Sequence, residues 1–146
     1  MSTIRDSRQF VGSKIAVFCG NQIVTYLRDD FDHIPDPGLW DLPGGEREPG
    51  ETALACVLRE TLEEFSIQLG PDQIIHESSY PSHQPGRADV AFFAAQVDQQ
   101  MIDAIIFGDE GQEWRMMPVA EFLDRDDAVV ELQRAVRRLM PSLQVR

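Results

Sequence analysis

The chain has 146 residues, with 25 acidic against 13 basic side chains and a formal net charge of −12. That field argues against broad contact with DNA, RNA or anionic lipid, each of which needs positive charge, and no apolar run is long enough to span a bilayer. A hydrophobic share of 42% suffices for the core of one soluble domain over residues 1–146.

The polar opening MSTIRDSRQF lacks the apolar region of a signal peptide. Cys19 and Cys56 have no metal-ligand spacing and are expected to be buried thiols in a reducing, cytoplasmic setting. KIAVFC (Lys14–Cys19) and QIVTYL (Gln22–Leu27) are predicted strands, and Gly20-Asn21 between them signals a hairpin. A Pro- and Asp-rich loop, Arg28–Gly38, leads into the short apolar LWDLP and then Gly44-Gly45. The pattern over Thr52–Phe65 predicts a helix with Thr52 as N-cap. Strands are expected at Gln73–Tyr80, Ala88–Val97 and Glu113–Val119, and a last helix near Asp127–Met140, stopped by Pro141. Asp98–Phe107 is ambiguous. Strands interleaved with helices point to an α/β sandwich on a mixed sheet.

At about 100° per residue, Leu54, Val57, Leu58, Thr61 and Phe65 form a stripe facing the sheet, and Glu60, Glu63 and Glu64 share the face beside it. Like charges at this spacing destabilise a helix by roughly 0.2–0.5 kcal/mol per pair. The helix dipole disfavours Glu63 and Glu64 in the last turn, and partial desolvation adds to the cost of their ionisation. Arg59 offsets part of this through an i,i+4 contact with Glu63. Two readings fit these facts: a solvated polar face, or hard oxygen ligands gathered for Mg²⁺ or Mn²⁺.

Gly45, five residues, Glu51, seven residues, then Arg59-Glu60 and Glu63-Glu64 resembles the Nudix box, with Ile67 as its closing apolar position. Thr61 replaces an apolar residue of that pattern, and Ser66 replaces the glycine that ends the helix. YLRDD…IPDPGLWDLPGG before the box (residues 45–67) and EGQEWRMMPVAEFL after it are similar to MutT-like members of the family. The resemblance implies a Nudix α/β/α sandwich that hydrolyses a diphosphate linkage in a nucleoside di- or triphosphate or a nucleoside diphosphate derivative. The alternative is a Nudix-fold nucleotide-binding or regulatory module without turnover.

By the same resemblance, Glu60, Glu63 and Glu64 ligate Mg²⁺ (or Mn²⁺), with Gly44 through its carbonyl and Glu51 in support, while Arg59 orients a glutamate. A glutamate of the last strand is expected to join them: Glu113 first, Glu110 second, only one of which can reach the site. Arg28 is a candidate contact for substrate phosphate, and Phe31 and His33 for the rest of the substrate. Trp40 reads as core, Trp114 as core or platform, and His76 and His83 as surface or packing residues. Arg134, Arg137 and Arg138 are expected to compensate the dipole of the last helix. The expected partner is a small diphosphate, a nucleotide by analogy, without nucleic acid polymer or membrane, and a homodimer is open.

Overall fold

A computed structural model describes residues 10–82, 86 and 88–143, the side chains of 142 and 143 excepted. The N-terminal stretch before Phe10 and His83 lie outside the described residues. The elements run β1 (Phe10–Cys19), β2 (Gln22–Leu27), β3 (Trp40–Asp41), β4 (Gly44–Glu46), α1 (Ala53–Phe65), β5 (Ile74–Tyr80), β6 (Asp89–Gln96), α2 (Gln99–Asp103), β7 (Glu113–Pro118), α3 (Val119–Asp124) and α4 (Val130–Leu143). Among the described residues, no helix is long and apolar enough to cross a membrane.

All seven strands belong to one mixed sheet, whose main path is β3-β2-β1-β6-β5. β1 runs parallel to β6, and the other pairings are antiparallel. The strands carry apolar residues at successive positions because both faces are covered. Ile15, Val17, Phe93 and Ala95 pack on the α1 side; Ala16, Phe18, Phe92 and Ala94 pack against α3 and α4. This is the expected α/β/α sandwich.

The β1–β2 hairpin positions the site. Gly20 takes the positive φ of 60° needed at the first position of its tight turn. Beyond the turn the strands pair only at Phe18–Ile23 and Cys19–Gln22, and then part. Residues 40–46 fill the gap. β3 bonds to β2 at Tyr26 and Leu27, β4 bonds to β1 at Gly12–Lys14, and the Ile15 amide donates to the Pro43 carbonyl between them at 3.0 Å. Gly44 and Gly45 therefore lie inside the sheet.

Several boundaries differ from the sequence expectation. The ambiguous stretch holds the short α2, capped by the Asp98 side chain, and α3 follows β7 where EGQEWRMMPVAEFL resembles a last strand and the helix after it. α4 begins at Val130 and continues through Pro141 to Leu143, because a proline so near a helix end removes only one backbone bond. Its arginines consequently precede the last turn, and Arg137 instead donates to the Leu123 carbonyl of α3 at 2.5 Å. Of the two cysteines, Cys56 is buried and Cys19 only partly so. Trp40 is core, with the guanidinium groups of Arg115 and Arg125 each 5.5 Å from its ring centroid.

The two irregular box positions have clear local structure. Thr61 is fully buried, with its hydroxyl returned to the Val57 carbonyl at 2.7 Å. Ser66 ends α1 in the left-handed conformation, φ 59° and ψ 28°, its amide bonded to the Leu62 carbonyl. A Cβ in that region costs about 1 kcal/mol or somewhat more. Ser66→Gly is therefore expected to raise stability by about 1 kcal/mol in urea unfolding; an unchanged or lower midpoint would remove strain from the account of this turn.

Candidate active site

α1 starts where Thr52 accepts a hydrogen bond from the Ala55 amide at 3.1 Å. Its inner face buries Ala53, Cys56, Val57, Thr61 and Phe65, close to the expected stripe, with Leu54 and Leu58 at the edge. The buried Ser13 hydroxyl donates to the Ala53 carbonyl at 2.8 Å and ties the helix to β1. Close approach depends on glycine. A Cβ on Gly45 would fall 2.5 Å from Cδ of Glu60, and a Cβ on Gly12 would fall 2.4 Å from the Gly45 carbonyl oxygen.

Arg59 gathers the acidic residues. Its Nε and Nη2 grip both oxygens of Glu51 at 2.6 and 3.0 Å, and Nη1 reaches Glu60 at 2.9 Å and Glu63 at 3.2 Å. Nη2 also donates to the Glu46 carbonyl at 3.0 Å. This forked bond holds the Glu51 carboxyl down at about 2. Glu60 shares the same arginine, yet burial pushes it above the ordinary carboxylate range, with Glu63 and Glu110 adding repulsion.

Glu64 turns away from Arg59. It accepts the Gly44 amide at 3.1 Å, an approach that the Gly44 φ of 137° permits. Its carboxyl is pushed up to about 8, chiefly by burial, with Lys14 and the Gly44 amide pulling it down and Glu60 and Asp41 adding repulsion. Thus Gly44 meets the glutamate cluster through its N–H.

Beside Glu64 is a buried centre with no counterpart in the sequence motif. Asp41 accepts from Lys14 Nζ at 3.0 Å, Arg28 Nη1 at 2.9 Å, the Tyr26 hydroxyl at 3.1 Å and the Leu42 amide at 2.7 Å. Burial alone would raise its pKa, but Lys14 and Arg28 hold it below the ordinary range. Arg28 also donates through Nε to the Pro35 carbonyl at 2.9 Å, which pins the loop carrying Phe31.

The connection before β7 closes the C-terminal end of α1. The Ile106 amide caps the Phe65 carbonyl at 3.1 Å, and the Gly108 amide caps Glu64 at 2.8 Å. This brings Glu110 near enough for its charge to act on Glu60. Glu113 is placed otherwise. It pairs with Leu27, which packs against the α3–α4 core, and directly opposed residues share a face. Glu113 therefore lies on the α3–α4 side of the sheet, while Glu110 is the acid of the two whose charge reaches Glu60.

Two hollows share Arg28 in their walls. One, of about 250 Å³, has Lys14, Arg28, Asp41, Gly45, Tyr80 and Glu131 in its wall. The other, of about 260 Å³, is walled by Tyr26, Arg28, Phe31, His33, Ile34 and Glu110. Phe31 is 51% exposed and lies parallel to His33, with centroids 5.6 Å apart and planes at 6°. Trp114 is partly buried against the α1-side core, and the His76 ring is 2.8 Å from the Ser78 hydroxyl and edge-on to Phe92.

The donors at α1 are hard carboxylate oxygens, two of them carrying raised proton affinity, a chemistry that fits a divalent cation. In the present rotamers, no three acidic, histidine or cysteine groups among the described residues converge at ligating distance; Arg59 lies at their centre instead.

A family model, described as the NUDIX domain, matches residues 15–139. Among curated proteins no sequence matches. The fold is similar to that of a MutT/Nudix family protein from Listeria innocua, at 18% identity and TM-score 0.75 over 96% of each chain. It is also similar to a C. elegans Ap4A hydrolase in a binary complex, at 18% identity and TM-score 0.71, covering 91% of this chain and 98% of the other. A bifunctional NMN adenylyltransferase/ADP-ribose pyrophosphatase from Francisella tularensis, complexed with AMP and a Mn ion, matches 95% of this chain with 43% of its own length, at 20% identity and TM-score 0.73.

Because the folded-state pKa of Glu64 lies above its unfolded value, stability should fall as pH rises from the ordinary carboxylate range through about 8. Glu64→Gln removes that penalty. In EDTA at pH 8.5 it is expected to raise Tm by about 3 °C, the response of a chain of this size to ~1 kcal/mol, with the gain shrinking toward pH 5. A gain independent of pH would disprove this account of Glu64.

Proposed function

The chain belongs to the Nudix family of pyrophosphohydrolases, and from that premise we propose that it is a single-domain, metal-dependent hydrolase of a nucleoside di- or triphosphate or a nucleoside diphosphate derivative. One observation carries the reading. α1 holds Glu60, Glu63 and Glu64 together beside the Gly44–Gly45 backbone, and two of the three are destabilised as anions there. The Ap4A hydrolase and the ADP-ribose pyrophosphatase of similar fold lend support to a nucleotide substrate.

Glu60, Glu63 and Glu64 would hold Mg²⁺ or Mn²⁺, with the Gly44 carbonyl and Glu51 in support. When bound, such a cation neutralises diphosphate oxygens and lowers the pKa of a coordinated water. The protein's own groups do the rest. Arg59 keeps Glu51, Glu60 and Glu63 at fixed mutual positions. Water oxygen attacks phosphorus, the bridging P–O bond breaks, and the proton passes to a carboxylate. Of the two candidate acids before and on β7, Glu110, whose charge acts on Glu60, takes the accepting role. Arg28 contacts phosphate from the side of Asp41, and Phe31 receives the nucleoside.

EDTA should abolish turnover, and Mg²⁺ or Mn²⁺ should restore it. Glu60→Gln is expected to lower kcat at least ~100-fold at saturating metal, with the fold intact by circular dichroism. Undiminished turnover in that variant would refute the assignment of Glu60.

A further inference from the structure

We propose that Asp29 and Gln112 are positioning residues: they latch the connection carrying Glu110 onto the loop carrying Phe31, so that the proton acceptor takes its place only when that loop is seated. This rests on the hydrolase reading and deepens it, since it concerns the acceptor which that reading names.

The connection before β7 is held at two points, with a short span between them. At one point the Gly108 amide donates to the Glu64 carbonyl at 2.8 Å, in the last turn of α1. At the other, the Gly111 amide donates to Asp29 Oδ2 at 3.1 Å. Gln112 then donates twice, from its amide to the Leu27 carbonyl at 2.8 Å and from Nε2 to the Arg28 carbonyl at 2.9 Å. Asp109 and Glu110 are the residues between the two points. Gly111 lies flat on the end of β2: a Cβ there would fall 2.9 Å from Cδ2 of Tyr26 and 3.1 Å from the Leu27 carbonyl oxygen.

The bonds at the second point are of two kinds. The Gln112 amide extends the β2–β7 ladder, in which Leu27 faces Glu113. The bond to Asp29 and the bond from the Gln112 side chain lie outside the sheet and reach the first residues of the Arg28–Gly38 loop. That loop is itself tied down, by the Gly38 amide on the Asp29 carbonyl at 3.1 Å and by Arg28 on the Pro35 carbonyl and Asp41. Asp29 therefore joins the far end of the loop through its backbone and the turn after Glu110 through its side chain. Asp29, Phe31, Glu110 and Gly111 all stand in the wall of one hollow, so a group entering beside Phe31 bears on the unit that places Glu110. A carboxylate accepting a backbone N–H makes a charge-assisted bond, stronger than its neutral neighbours. The stake is large, because a misplacement of about 1 Å can cost about 100-fold in rate.

The test has two arms. In metal-free protein, hydrogen exchange by NMR reads the latch itself. Asp29→Ala should speed exchange of the Gly111 amide at least ~10-fold and leave the Ile106 and Gly108 amides unchanged. Asp29→Asn, which keeps an acceptor oxygen, should restore most of the protection. Turnover is then followed with Mg²⁺ on whichever of ATP, ADP-ribose and diadenosine tetraphosphate is cleaved fastest. Asp29→Ala and Gln112→Ala should each lower kcat about tenfold, with Asp29→Asn recovering most of the loss. In a Glu110→Gln background either alanine should cost less than about twofold more, because no acceptor is left to misplace. A residue that merely holds the fold would multiply its loss with that of Glu110→Gln. Gly111 exchange unmoved by Asp29→Ala, an undiminished kcat, a multiplied loss, or full activity in Glu110→Gln would each overturn the proposal. A parent protein that cleaves none of the three compounds would sink the hydrolase reading, and a Gly111 amide accelerated by Asp29→Ala would leave the latch standing as a link between the two loops.

Discussion

The carboxylate of Asp41 sits where β1 and β2 part, and it is met there by an ammonium, a guanidinium, a phenol and a backbone amide. A buried charge is tolerable only when so fully bonded; with one partner removed, such a group typically costs about 3–5 kcal/mol. Each partner belongs to a different structural unit. Lys14 is from β1, Tyr26 from β2, and Arg28 from the start of the loop that reaches Phe31. One ion centre thus fixes how widely the hairpin opens and how residues 40–46 sit in the opening. The seat of the box glycines follows from that.

Around this well-paired centre, α1 is the opposite case. One guanidinium serves Glu51, Glu60 and Glu63, and among the described residues Glu64 has no cation in direct contact. The difference is one of distribution. Lys14 and Arg28 are both committed to Asp41, so little positive charge is left for the helix. The fold tolerates this locally because the helix is anchored by other means: the Thr52 cap, the Ser13 bond, the Phe65 packing and the amides of Ile106 and Gly108 at its end. Such anchoring lets a strained cluster persist in a stable frame.

What could be read in the sequence was whatever repeats locally. The apolar strand runs, the Gly-Asn turn, the Thr52 cap and the box spacing are all signals within a few residues, and the sheet and α1 follow from them. What could not be read depends on pairing across the fold. Asp41 is a single acid in LWDLP, with nothing nearby to mark it as buried; its side-chain partners are 13 to 27 residues away. Choosing between Glu110 and Glu113 required the β2–β7 register and the path of the capping loop. α3 has six residues, too few for a helical period to show, and α4 outlasts Pro141 because the expected stop rule describes helix interiors.

Lys14 is the only lysine in the sequence. The chain therefore carries a single side-chain amine, and that amine is engaged with Asp41 and the Leu42 carbonyl. An amine-directed reagent has just this one internal target, in contact with the centre that holds the hairpin open. Its labelling rate is a built-in reporter: slow while the wedge is closed, fast once residues 40–46 leave the gap. The same scarcity makes the site legible to chemistry that would be uninformative on a lysine-rich surface.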